Sequence, residues 1–206
     1  MLEQVFSCNV DGLDRQLGLP DDKILAVHGT LALVRCEFCK HEMPSGDFRE
    51  LMRSNIKDIS EKDAGAPAES SVIMCPNPKC SRAGMKPAVV LEDTELDKAV
   101  STRMHKHLPR TDLLFVIGTS LTVLPMSLLP AQCLHAVRVV VNRDPPPSGF
   151  KIRNGRDHLL QGECDEMFVA LAGRLGWLPD LARFRDEWCP ETQEMFDAER
   201  HATSAT

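Results

Sequence analysis

Leu113-Leu114-Phe115-Val116-Ile117-Gly118-Thr119-Ser120 is a continuous apolar run stopped by small and hydroxylated residues. A run of this length, closed by a turn, is the pattern of a strand buried on both faces, as in a parallel sheet. Val137-Arg138-Val139-Val140-Val141 gives a second such strand, ending at Asn142. Residues 124–135 lie between them and supply helical crossover, interrupted by Pro125 and Pro130. Strand, crossover and strand make a parallel βαβ unit.

The same logic extends outward. Ile24-Leu25-Ala26-Val27 reads as a short buried strand that delivers a turn at His28-Gly29. Ala88-Val89-Val90-Leu91 reads as another strand. Thr94 can cap a helix running to about residue 107, with Leu96, Val100, Met104 and Leu108 on one face at four-residue spacing. A last amphipathic helix is expected from Asp165, burying Phe168, Leu171, Ala172 and Leu175. Asp165 and Glu166 suit its positive end, and Gly176 closes it. From residue 189 to 206 the polar composition predicts a flexible tail.

Between these α/β segments the character changes. Cys36-x2-Cys39 and Cys75-x4-Cys80 are two close thiol pairs. A tight turn can present two sulfurs about 3.5–4 Å apart, which Zn–S bonds of roughly 2.3 Å require. Free thiols packed in a core are the plainer reading. The pairing, with Pro76 and Pro78 stiffening the second turn, favours a closed structural zinc site built from Cys36, Cys39, Cys75 and Cys80. A short helix is expected over residues 46–56 and a polar, mobile loop over residues 57–71. The fold class is therefore α/β: a partial Rossmann-like parallel sheet with helices on both faces, plus an inserted small zinc-binding lobe. Residues 1–34 and 86–188 form the first part, and residues 35–85 form the lobe.

Composition bounds the function classes. The chain has 206 residues, 26% charged and 43% hydrophobic, the balance of a globular protein with one good core and a small satellite. Its formal net charge of −6 argues against a broad nucleic-acid or anionic-membrane surface. No apolar run approaches the roughly 20 residues of a membrane span, and the start has no basic segment or cleavage-like site of a secretory signal. Eight cysteines without such a signal point to metal and reduced thiols rather than disulfides. The expected compartment is the cytoplasm, with the nucleus as the alternative.

Ligands of open parallel sheets bind beyond the carboxyl ends of the strands. Gly118-Thr119-Ser120, Asn142-Arg143-Asp144 and Gly162-Glu163-Cys164-Asp165 all follow a strand or precede a helix. Small residues there let backbone N–H groups approach a phosphate or ribose, and Asn or Asp can hold ribose hydroxyls. Singly, each cluster is an ordinary turn; three in register indicate a nucleotide cleft. No Gly-x-Gly-x-x-Gly occurs, so half of the usual dinucleotide apparatus is present. A lone His28 after a strand is more often structural than catalytic. Histidine nonetheless titrates near neutral pH, as a general base must, and Asn9-Val10-Asp11-Gly12-Leu13 accompanies it upstream.

Taken together, Cys8-Asn9-Val10-Asp11-Gly12-Leu13, Val27-His28-Gly29, Gly118-Thr119-Ser120-Leu121 with Val123 and Pro125, Val141-Asn142-Arg143-Asp144 and residues 162–177 resemble the motifs of the sirtuins, NAD-dependent protein lysine deacylases. Leu19-Pro20-Asp21-Asp22-Lys23 is similar to the eukaryotic cytosolic and nuclear branch. The resemblance implies transfer of an acetyl group from acetyl-lysine to ADP-ribose with nicotinamide release, in a cleft between the nucleotide domain and the zinc lobe. It implies His28 as the base and Asn9 and Asp11 as the lining of the nicotinamide-ribose pocket. Gly118, Thr119, Ser120, Asn142, Arg143, Asp144 and the backbone at Cys164 would hold the adenosine half. The cofactors implied are structural Zn2+ and NAD. The partners are acetylated lysine-containing proteins or peptides, histones or tubulin by family analogy, with no direct nucleic acid and no membrane.

Three departures bear on activity. The sequence starts just before Asn9, so the family's Gly-Ala-Gly phosphate loop is not in it; a shortened amino terminus is expected to weaken pyrophosphate binding and leave one sheet edge uncovered. Cys8 stands where the family has Gln. The family's Phe-Gly-Glu after Val-Val is replaced by Leu91-Glu92-Asp93, in the strand that pairs with substrate peptide. Two other functions fit the same residues: a catalytically inactive, zinc-bearing protein-interaction module, and protein ADP-ribosyl transfer, which shares the first step. A zinc-ribbon nucleic-acid binder is disfavoured, because Lys and Arg do not cluster around the cysteines.

Overall fold

The computed structural model describes residues 1–91, 95–147 and 150–204. The chain divides into two compact units, Met1–Arg103 and Met104–Thr206.

In the first unit, β1 (Val5–Ser7) pairs in parallel with β2 (Ile24–Ala26), in the register Val5↔Ile24 to Ser7↔Ala26. The pair is fastened at its base by Gln4, whose side-chain amide donates to the Lys23 carbonyl at 2.7 Å. Arg103 donates to the Asp22 carbonyl at 2.8 Å. After the Val27-His28 turn, β3 (Gly29–Cys36) runs at the centre of a three-stranded antiparallel sheet, between β4 (Glu42–Pro44) and β5 (Met85–Val89). The strand expected over residues 88–91 therefore starts three residues earlier. It belongs to the sheet that carries the cysteines, because β3 offers it an antiparallel partner from Cys36↔Met85 to Gly29↔Val89. α1 (Ser45–Asn55) packs Phe48 against Val34, Cys36, Cys75 and Met85.

Residues 57–71 are irregular, as expected, but they have an internal frame. Both Asp58 carboxylate oxygens accept hydrogen bonds: Oδ1 from the Ser60 hydroxyl at 2.6 Å and the Ser60 N–H at 2.8 Å, Oδ2 from the N–H groups of Lys62 and Asp63 at 2.8 Å. The Ser60 hydroxyl and these amides hold the Asp58 carboxyl well below the usual carboxylate range. Ser71 closes the far end, its N–H donating to the Asn55 carbonyl at 2.7 Å.

The unit boundary falls inside α2 (Lys98–His107). Thr94, expected to cap this helix, lies outside the described residues, as do Glu92 and Asp93. Asp97 takes up the capping work: its Oδ1 accepts the Ala99 N–H at 2.8 Å. Val100, Met104 and Leu108 are buried as their spacing predicts.

The second unit is built on a parallel sheet in the order β6-β7-β8, with β6 (Leu113–Ile117), β7 (Val137–Asn142) and β8 (Asp157–Gln161) in continuous register. The crossover between β6 and β7 contains one 3-10 turn, Met126–Leu128, running into one short α-helix, α3 (Leu129–Gln132), with Pro130 in its first turn. Val116, Val140 and Leu121 pack together on one face. On the other lies α4 (Cys164–Leu175), where Phe168 meets Phe115 at 5.9 Å between ring centroids. α4 thus covers one face of the sheet, and the burial expected for both faces of β6 is not found. Leu113, Phe115 and Ile117 are 49, 37 and 47% exposed. β6 pairs with β7 alone among the described strands, and α4 lies chiefly over β7, so the outer row of β6 gets only partial cover.

Two further corrections concern the carboxyl-terminal part. In α4 the buried residues are Val169 and Ala172, while Phe168 and Leu171 are half-buried and Leu175 is exposed. The reason is the second correction. Residues 189–204 of the expected tail are ordered: α5 (Leu178–Leu181) is followed by α6 (Pro190–Ser204), a 15-residue helix laid against α4, while residues 205–206 lie outside the described residues. Phe196 is fully buried among Val169, Ala172 and Leu178, with the Trp188 ring edge-on to it at 5.1 Å. No helix among the described residues is long and apolar enough to cross a membrane.

Candidate functional site

The four paired cysteines come together in the first unit. Their sulfurs lie within 4.8 Å of one another, with Cys36–Cys80 at 3.8 Å and Cys39–Cys75 at 3.6 Å. A tetrahedron of Zn–S bonds of about 2.3 Å has edges of roughly 3.8 Å, so the donor set fits zinc in a closed structural site. Each pair sits on a turn of the same kind. Lys40 and Ser81, the residues directly after Cys39 and Cys80, both have left-handed backbone, φ 62° and 43°. Lys40 N–H returns to the Cys36 carbonyl at 3.0 Å, and Ser81 N–H to the Asn77 carbonyl at 3.0 Å.

The Cys39 N–H draws the Cys36 thiol down to about 7, whereas burial pushes Cys75 up to about 12 and raises Cys80. Buried thiols that resist ionisation in this way accept a thiolate state readily when a cation shares the charge. Asn77 was not foreseen in the site; its side-chain amide donates to Cys39 Sγ at 3.6 Å. Its position inside Cys75-x4-Cys80 was the available signal. Between the first two cysteines, the Phe38 ring stacks under the Arg82 guanidinium at 3.3 Å.

His28 is half-buried in the turn between β2 and β3. Its backbone is held on both sides: the Val27 N–H donates to the Ser7 carbonyl at 2.9 Å, and the His28 carbonyl accepts the Val90 N–H at 2.9 Å. The segment carrying Asn9 and Asp11 runs alongside, tied by the Leu31 N–H to the Val10 carbonyl at 2.7 Å. Asp11 Oδ1 accepts the Leu13 N–H at 3.0 Å, and both Asn9 and Asp11 are exposed. These residues therefore occupy the carboxyl-terminal ends of the parallel strands β1 and β2, where ligands of such sheets bind.

In the second unit the three post-strand turns form one hydrogen-bonded group. Gly118 N–H donates to the Val141 carbonyl at 3.0 Å, and Gly162 N–H to the Asn142 carbonyl at 3.1 Å. The Asn142 side-chain amide reaches the carbonyls of Thr119 at 3.4 Å and Asp144 at 3.0 Å. Arg143 faces Glu163 at 4.0 Å, both exposed. Cys164 opens α4 and turns its thiol back to the Val141 carbonyl at 3.7 Å. Glu163, at the helix N-cap, makes no capping bond, so the first N–H groups of α4 remain available to a ligand.

Two contributors were missed by sequence reasoning. Gln161 ends β8, a strand with only two apolar residues and hence no visible run, and its amide holds the Arg143 carbonyl at 3.1 Å. Leu121 is 6% exposed yet has φ 52°, an unfavourable backbone for a leucine. Its burial beside Val116 and Val140 anchors the turn bearing Thr119 and Ser120.

Turns rich in hydrogen-bonding groups at the carboxyl ends of a parallel sheet, together with a lobe whose four cysteines fit zinc, are the arrangement of α/β proteins that bind ligands beyond their strand ends and carry a structural metal. The Sir2 family model matches residues 1–125, and the chain belongs to that family. It is 30% identical over 178 residues to the NAD-dependent protein deacetylase hst2-2 of Emericella nidulans, covering 86% of this chain and 45% of that protein. It is 27% identical over 192 residues to the NAD-dependent protein deacetylase hst2 of Schizosaccharomyces pombe, covering 90% and 50%. With the mouse NAD-dependent protein deacetylase sirtuin-1 the identity is 29% over 174 residues, covering 83% and 21%. The chain thus spans about half the length, or less, of these relatives.

Proposed function

We propose that this chain is an NAD-dependent protein lysine deacetylase of the sirtuin type, acting on acetylated lysine-containing proteins or peptides. The observation that carries the reading is the hydrogen-bonded group of post-strand turns in the second unit, centred on Val141 and Asn142, in a chain of the Sir2 family. When bound, NAD supplies an ADP-ribosyl group with nicotinamide as its leaving group, and the acetyl group ends on ADP-ribose. His28 acts as the base toward a ribose hydroxyl, its imidazole held by a turn whose backbone is bonded on both sides. Asn9 and Asp11 line the nicotinamide-ribose pocket.

Gly118, Thr119, Ser120, Asn142, Arg143, Asp144 and the backbone of Cys164 hold the adenosine half, the amide-bearing turns serving the ribose and the free N–H groups of α4 serving polar edges. Cys36, Cys39, Cys75 and Cys80 bind zinc, which holds the lobe over residues 35–85 and takes no part in the reaction. The parallel strands β1, β2 and β6–β8, with α4 and α6, make up the nucleotide-binding part, while β3 and β5 go with the zinc lobe rather than with the 1–34 and 86–188 segments to which the sequence boundaries assign them. Histones or tubulin are the candidate substrates, and the cytoplasm or nucleus the compartment.

The test is nicotinamide release from NAD in the presence of an acetylated peptide, with His28→Ala as control. Loss of a general base lowers the rate by roughly 100-fold or more. Release that does not exceed the variant's would leave the inactive interaction module as the reading. With NAD labelled in its adenosine half, release accompanied by label retained on the protein would favour ADP-ribosyl transfer.

A further inference from the structure

We propose that Thr192, on the carboxyl-terminal helix α6, is a positioning residue for the adenosine half of the cofactor, fixing the first turn of α4 from outside. The inference rests on the adenosine site proposed above. The uncapped start of α4 raises the question it answers. Glu163 makes no capping bond there, so the turn that offers its N–H groups to a ligand lacks the usual local tether. Two bonds from other elements replace it. On the inner side, the Cys164 thiol reaches the Val141 carbonyl at 3.7 Å. On the outer side, the Thr192 hydroxyl donates to Asp165 Oδ2 at 2.8 Å, a charge-assisted bond across 27 residues of sequence.

Thr192 can serve as a fixed point because the start of α6 is itself held. Phe196, one turn further on, is fully buried against α4. Gln193 donates to the Trp188 carbonyl at 2.9 Å and accepts from Arg185 Nη1 at 3.1 Å. Arg185 also pairs with Asp197 through both its Nε, at 3.0 Å, and its Nη2, at 2.5 Å. The Cys189 thiol lies 3.2 Å from the Thr192 hydroxyl, which accepts its S–H while donating to Asp165. Asp165 lies in the first turn of α4 and its carboxylate is bonded by Thr192 in the first turn of α6, so both helix dipoles favour its charge. With Thr192 in place, the backbone at Cys164 is pre-organised; without it, the turn samples more states and binding must order it.

The test uses the full chain carrying Thr192→Val, which keeps the shape and removes the donor, and Thr192→Ser, which keeps the hydroxyl. ADP-ribose and NAD are titrated separately by calorimetry, and amide exchange of residues 165–167 is measured without ligand. Thr192→Val is expected to weaken ADP-ribose binding and to speed exchange in that turn, each by about 2- to 10-fold. Exchange in β6–β8 stays unchanged, and Thr192→Ser behaves as the parent. Unchanged ADP-ribose affinity in a folded Thr192→Val chain overturns the inference while leaving the adenosine site standing. So does uniformly faster exchange with unchanged affinity, which would mark Thr192 as structural only. If the parent chain binds neither ADP-ribose nor NAD, the adenosine site itself fails, and this inference with it.

Discussion

A β-carbon on Gly29 would lie 2.0 Å from the carbonyl oxygen of Ala88. The two residues sit where β3 and β5 come together, and Gly29 has φ 78°. The turn bearing His28 is therefore tied to the cysteine-bearing sheet by a contact that tolerates no side chain, and the next bond out is the Val90 N–H to the His28 carbonyl. Gly29→Ala must both push β5 away and strain a left-handed backbone. It is expected to destabilise the first unit by about 3 kcal/mol or more, read as a lower midpoint in urea unfolding. A variant within about 0.5 kcal/mol of the parent would show that the strands do not approach this closely in solution.

The sulfur tetrahedron predicts one zinc per chain. Elemental analysis of the purified protein should find it, and Cys39→Ala should lose it even though Cys39 is exposed, because three thiolates leave a closed site open. Chelation should unfold the lobe around Phe48, Val34 and Met85, seen as loss of ellipticity, since the metal's binding energy is folding energy there. Zinc ligands bind as thiolates, so release should occur as pH falls. Retained zinc in Cys39→Ala would contradict the four-ligand assignment.

What could be read from sequence follows the range of the forces involved. The two apolar runs 113–117 and 137–141 appear as β6 and β7 because a strand's own residues carry that signal. The cysteine pairs were legible for the same local reason. β8 was not visible: its Leu159 and Leu160 make no run, and it is recruited by register with β7 and by Asp157. α6 has the composition of a tail, its sequence being polar apart from Pro190, Met195, Phe196 and two alanines. One aromatic side chain suffices when the partner face already exists, and that face is made by α4, some 25 residues upstream. The positive φ of Leu121 likewise comes from a tertiary anchor.

Asp157 pairs with two arginines and has a fully buried side chain. Arg138, itself 4% exposed, binds it through Nε at 2.8 Å and through Nη2, while the Arg153 N–H donates to it at 2.6 Å. The Arg138 guanidinium holds the Asp157 carboxyl well below the usual carboxylate range. A carboxyl whose folded pKa is depressed contributes stability that is present above its unfolded pKa of about 3.9 and is lost as pH falls toward the folded value. Stability of the second unit should therefore decline progressively below about pH 5. Asp157→Asn, which leaves Arg138 buried without a counter-charge, should cost about 3–5 kcal/mol and flatten that decline. An unchanged acid limb in the variant would locate the acid sensitivity elsewhere.

Phe196 decides whether the last helix is part of the fold. It contributes a fully buried ring to a cluster with Val169, Ala172 and Leu178, and Trp188 packs edge-on to it. The neighbouring Arg185–Asp197 pair is partly exposed, so it adds little by itself and cannot hold α6 alone. Phe196→Ala should cost about 3–5 kcal/mol of whatever stability the second unit has. It should also open residues 190–204 to protease before β6–β8 are cut, because those strands are held by their own ladder and by the Arg138–Asp157 pair. Asp197→Asn, by contrast, should leave the cleavage pattern almost unchanged. If Asp197→Asn opened residues 190–204 and Phe196→Ala did not, the ion pair rather than the ring would be what secures α6, and the burial of Phe196 would be a consequence of docking instead of its cause.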